Sequence, residues 1–209
     1  MPAPSLLERA IGAAGAEPPP DDRMSERILD AALGLVAASG LRALTMDDVA
    51  ARAGVGRMTV YRRFGERERL IDALAIREAR RCLAELDAAA APDAPIADQI
   101  AAGFSTSLRL IRTHPLLDRF ARHEPETALK TLNANGGAIF ALSREFVATR
   151  LRQAQAHGEV GELDLDHAAE LLVRLGFSFL LMPQSALPLD DDERARELAR
   201  ALIAPILDH

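Results

Sequence analysis

The sequence predicts an all-α chain. Two observations carry this. Apolar residues recur at three- and four-residue spacing through almost every long segment, and no stretch of useful length alternates apolar with polar as a strand would. The interruptions fall on glycine and proline, which end helices, so the 209 residues divide into about nine or ten helices. No repeat period is present.

Residues 1–21 hold five prolines, including Pro18-Pro19-Pro20, and read as an arm outside the fold. Arg9 in this arm could reach a DNA minor groove, but a solvated tail is the expected role. The first helix runs from about Asp22 to Ser39, with Ile28, Ala32, Leu35 and Val36 inward, and Gly40 ends it. Thr45 is an N-cap for the next helix, with Asp47 and Asp48 in its first turn, where carboxylates suit the helix dipole. Met46, Val49, Ala50 and Ala53 form its apolar face, and Gly54 stops it. A second short helix follows, roughly Arg57 to Phe64. Val60 and Phe64 form its apolar back, while Arg57, Met58, Thr59, Tyr61, Arg62 and Arg63 face outward. Two short helices around a glycine turn, the second bearing phosphate- and base-binding groups, make a helix-turn-helix.

The stretch from Thr45 to Leu70 resembles the DNA-binding segment of TetR-type transcriptional regulators. The residues that carry the resemblance are Thr45, Gly54-Val55, Tyr61 with Phe64, Arg67-Glu68 before Leu70, and Arg27 to Ala32 with Gly40-Leu41 upstream. It covers about Arg23 to Leu70. Gly56, Arg57 and Met58 depart from the small or polar residues common there, so the bases read need not follow any known member. The resemblance implies a homodimer that binds a palindromic double-stranded operator, and the single Cys82 is compatible with the reducing cytoplasm expected for it. The resemblance also implies a repressor released by a small-molecule inducer, with Tyr61 giving its hydroxyl to a phosphate.

From Glu66 a long helix continues to about Ala90, and Ala88 to Pro95 breaks it. Further helices are expected over Ile96 to Thr113, Leu116 to Glu124, Glu126 to Asn135, Ala138 to His157, Asp166 to Met182 and Asp190 to Leu207, with Gly136-Gly137 a hinge. The domains are therefore an arm over 1–21, a helix-turn-helix domain over 22–68, and a helical ligand-binding and dimerisation domain over 69–209. Aromatic and polar groups mix between Phe104 and Arg144. Phe104, Phe120, Asn133 and Phe140 are the candidate ligand pocket. Leu171, Leu175, Phe179 and Met182 with Leu198, Leu202 and Ile206 form apolar stripes on the last two helices. These stripes are the candidate dimer interface, in which two hairpins make a four-helix bundle.

Charge bounds the function. The net charge is −6, against a generic nucleic-acid binder. Yet Arg52 to Arg69 holds six arginines and two glutamates, so the positive charge is concentrated on one footprint. Arg57 and Arg62 have the donor fork that matches guanine, and Thr59 a methyl that suits thymine. Thr45 and Arg67 sit at helix starts, where backbone N–H groups favour phosphate. The single Cys82 excludes an internal disulfide, and no apolar run is long enough to span a membrane. The histidines form no metal-binding or catalytic spacing, so no cofactor, metal or catalytic residue is expected. A helical enzyme and a sequence-tolerant architectural DNA-binding protein are the alternatives.

Overall fold

The computed structural model describes residues 23–91, 93–133 and 137–207. The arm over 1–21, Asn135 and Gly136 lie outside them. Among the described residues there are ten α-helices and no strand: α1 (Arg23–Ser39), α2 (Met46–Ala53), α3 (Arg57–Phe64), α4 (Arg67–Ala89), α5 (Ile96–Thr113), α6 (Pro115–Arg122), α7 (Pro125–Asn133), α8 (Ala138–Ala156), α9 (Leu165–Leu181) and α10 (Asp192–Leu202).

Local chemistry sets the boundaries. Thr45 caps α2 by accepting the Asp48 N–H, and Gly54, at φ +64°, closes it by donating to the Ala50 and Ala51 carbonyls. Pro115 starts α6 at its first position, where a missing N–H costs nothing. Asp164 and Asp191 cap α9 and α10, each accepting two backbone N–H groups. These bonds hold both carboxyls below their ordinary pKa. The last helix is shorter than the expected Asp190–Leu207. It ends at Leu202, and Ala204–Leu207 forms a 3-10 turn. The reason was legible: Pro205 has no N–H to continue the ladder.

One core joins the N-terminal helices to the rest. Ile28, Leu29, Val36, Val49, Val60, Phe64, Leu70 and Leu74 bury together, and Leu116, Phe120 and Ala121 of α6 belong to the same cluster. The apolar packing thus runs across the expected boundary at 68/69. Smaller clusters pack α8 against α9, and α5 against α10 through fully buried Ala101 and Ala199.

Candidate DNA-reading helix and ligand cavity

The recognition helix α3 is held by its apolar back. Val60 and Phe64 are buried, whereas Met58 is 75% exposed and Arg62 is also exposed. Among the described residues no hydrogen bond or ion pair holds Arg62. Arg57 is restrained. Its Nε lies 2.9 Å from Asp47 Oδ1, and an Nη donates to the Tyr61 hydroxyl at 3.3 Å, with the guanidinium stacked 5.2 Å from the Tyr61 ring centroid. The Tyr61 hydrogen bond, then the Asp47 carboxylate, keep Arg57 even more firmly protonated than usual. Thr59 is half-buried beside them.

Three more of the sequence-derived contacts are engaged within the domain. The Thr45 hydroxyl donates to Asp48 Oδ2 at 2.6 Å as well as capping α2. Arg63 turns inward and donates to the buried Ser25 hydroxyl of α1 at 3.0 Å. Arg67 donates through Nε to the Leu44 carbonyl at 2.7 Å and through an Nη to the Leu41 carbonyl. The last two arginines tie α3 and α4 to α1 and to the turn after it. Replacing Arg67 by alanine is expected to destabilise the domain by about 2–3 kcal/mol, because main-chain acceptors lose charged donors. A thermal or urea unfolding curve reads this directly.

The second site is a cavity of about 290 Å³ lined by α4, α5, α6, α7, α8 and α9. Its walls are chiefly leucine, isoleucine, valine and phenylalanine. Of the four candidate pocket residues, Phe104 and Phe120 line it. Asn133 and Phe140 do not. Asn133 is exposed and donates to the Leu129 carbonyl of its own helix. Phe140 stacks on Phe177, centroids 5.8 Å apart, and carries the Arg174 guanidinium on its ring. Sequence reasoning missed Glu78, Gln99, Ser107, Ser143 and Arg150, the polar groups of the wall, and placed Leu175 and Phe179 elsewhere.

The cavity floor is wired to the DNA-binding helices. Glu78, 2% exposed, lines the cavity. Its Oε1 accepts from Arg77 Nε at 2.6 Å, and its Oε2 lies 3.0 Å from His114 Nε2. An ionised carboxylate only accepts, so that nitrogen carries a proton. Burial alone would push the Glu78 carboxyl up, but His114, Arg77 and Arg81 together hold it below its ordinary value. Arg77, itself buried, reaches on to Asp30 Oδ1 at 2.9 Å and Glu26 Oε2 at 3.3 Å, both on α1. A second contact lies at the turn after α1, where buried Glu124 accepts the Leu41 N–H at 3.0 Å and the Arg119 Nε at 3.2 Å.

The proposed dimer stripe divides in two. Leu171, Met182, Leu202 and Ile206 are exposed. Leu175, Phe179 and Leu198 instead pack half-buried into this chain's own clusters.

The architecture is thus a helix-turn-helix packed against a helical domain that holds a cavity. The sequence profile of bacterial regulatory proteins of the tetR family matches residues 28–74, and that of tetracyclin repressor-like C-terminal domains matches residues 97–204. The chain belongs to the TetR family of transcriptional regulators. It is 27% identical over 184 residues to an uncharacterised HTH-type transcriptional regulator of Mycobacterium tuberculosis, covering 88% of this chain and 85% of that protein. Similar solved structures include Salmonella enterica GusR, at 22% identity, with 88% of this chain and 95% of that one covered and a TM-score of 0.65. Another is the TetR family repressor AlkX from Dietzia sp. strain DQ12-45-1b, implicated in biodegradation of n-alkanes. It is 25% identical, with 87% and 96% covered and a TM-score of 0.66. Membership sets aside the enzyme alternative, since these are regulators that bind DNA. No helix among the described residues is long and apolar enough to cross a membrane.

Proposed function

We propose that this chain is a homodimeric repressor that a small molecule releases from a palindromic operator in the cytoplasm. The observation that carries the proposal is the double use of α6. Leu116 and Phe120 lie in the core shared with α1 to α4 and also line the cavity. A molecule seated there pushes on side chains that position the helix-turn-helix. Glu78 and Arg77 add a polar link from the cavity to α1. Occupancy therefore favours one arrangement of the DNA-binding domains over another.

Within α3, Arg62 and Met58 meet base edges first. Arg57 reads a base once it leaves Asp47, Thr59 contacts an adjacent methyl, and Tyr61 gives its hydroxyl to a phosphate. Thr45 holds the first turn of α2 toward the backbone, with Arg63 and Arg67 acting from inside the domain. The dimer forms through the exposed Leu171, Met182, Leu202 and Ile206, flanked by Leu175, Phe179 and Leu198.

Selection of bound sites from random DNA tests this reading. The expected product is a palindrome with half-site centres about 34–36 Å apart, or a multiple of that. Arg62→Ala should relax one base position per half-site and cost about 1–3 kcal/mol. Recovery of no shared sequence, with affinity that follows only salt, would favour an architectural protein instead.

A further inference from the structure

We infer that the cavity takes an uncharged, hydrocarbon-like molecule of about ten to twelve heavy atoms with at most one hydroxyl group. This rests on the reading of the cavity as the inducer site. Three observations lead to it.

The polar groups in the wall are already satisfied. The Glu78 carboxylate is held by Arg77, Arg81 and His114. The Arg150 guanidinium donates to Asp87 Oδ1 at 2.5 Å and to Gln99 Oε1 at 3.0 Å. A charged head group entering this apolar space would lose its hydration and meet no uncompensated opposite charge. The serines are occupied as donors too. Ser107 donates to the Gly103 carbonyl at 2.8 Å and Ser143 to the Ile139 carbonyl at 2.9 Å. Each hydroxyl oxygen keeps lone pairs, which suits one donated hydrogen bond from a ligand alcohol and nothing more demanding.

The volume is held open by two glycines inside helices. Gly103 on α5 and Gly176 on α9 both line the cavity, and a Cβ added at either would meet no atom within 4 Å. Neither has the positive φ that would require glycine. Glycine inside a helix is unfavourable relative to alanine, so these positions forgo helix stability and leave empty space at the wall.

The size follows from the volume. An apolar cavity of about 150 Å³ holds one benzene, six heavy atoms. About 290 Å³ holds roughly twice that.

The test uses 1-decanol, 2-naphthol, decanoate and decylammonium, matched closely in size and differing in charge and shape. Binding to the full chain is measured at pH 7 by calorimetry. A neutral probe should bind at least tenfold more tightly than either charged one. Gly103→Leu and Gly176→Leu should each weaken the neutral probes at least tenfold while helicity and thermal stability are kept. Tighter binding of decanoate or decylammonium, or binding of neither neutral probe, would overturn the inference. So would undiminished binding by both glycine variants. Operator binding, measured in parallel without any probe, reports on the regulator reading separately. Sequence-selective DNA binding with failed probe binding sinks only the ligand class.

Discussion

Glu78→Ala is expected to destabilise the folded chain by about 3–5 kcal/mol, the cost of removing one partner from a buried charge network. Arg77, 5% exposed, would lose its shortest contact, and His114 Nε2 would lose its acceptor. Asp30 and Glu26 still face Arg77, so the chain should fold. The measurement is a urea midpoint at fixed protomer concentration, because a dimer's stability depends on concentration. The pH dependence has a defined sign. The Glu78 carboxyl is held below its ordinary value of 4.5, so the ionised form is favoured by folding. Its contribution is fully present above the ordinary glutamate range and is lost as pH falls through the lower folded value. The gap between wild type and Glu78→Ala should therefore narrow in acid.

The second large effect concerns the dimer. Leu171→Glu with Leu202→Glu should give monomers and lower operator affinity by two orders of magnitude or more, with helicity retained. Both side chains are exposed, at 60% and 64%, so the single chain does not need them for its own core. One recognition helix covers too few base pairs to select a site, and the second must be held at a fixed separation. Sedimentation and a gel shift on the same preparation read both outcomes. Leu175→Glu would be a poor substitute, because Leu175 lines the cavity and the change would wreck packing instead.

These two cases show where the sequence was readable. The recognition helix was, to the residue, because Gly56 and Gly65 bracket it and Val60 with Phe64 fix its back. At about 100° per residue, Arg62 lies roughly opposite the midpoint of Val60 and Phe64, whereas Arg63 lies about 80° from it. The inward turn of Arg63 was thus implicit in the spacing. The dimer stripe splits on the same arithmetic. Residues four apart drift about 40° per step, so Leu171, Leu175 and Phe179 rotate progressively off one face, while Met182 returns to within about 20° of Leu171. The structure exposes Leu171 and Met182 and turns Leu175 and Phe179 inward. Other features had no local signal. Arg67 bonds carbonyls 23 and 26 residues away, and Phe140 meets Phe177 on another helix. The cavity arises where two helical glycines and six helices converge, which no single segment reveals.

Cavity occupancy is expected to reposition the DNA-binding domains through α6 and the Glu78–Arg77 link. The most direct measurement is the distance between spin labels on the two protomers, placed at Ala51→Cys in a Cys82→Ala background. Ala51 is exposed on α2 beside the recognition helix. On operator the label distribution should be narrow and consistent with recognition helices roughly 34–36 Å apart. With a compound that releases the operator it should shift or broaden. An unchanged distribution, seen alongside full release of the DNA, would contradict the account.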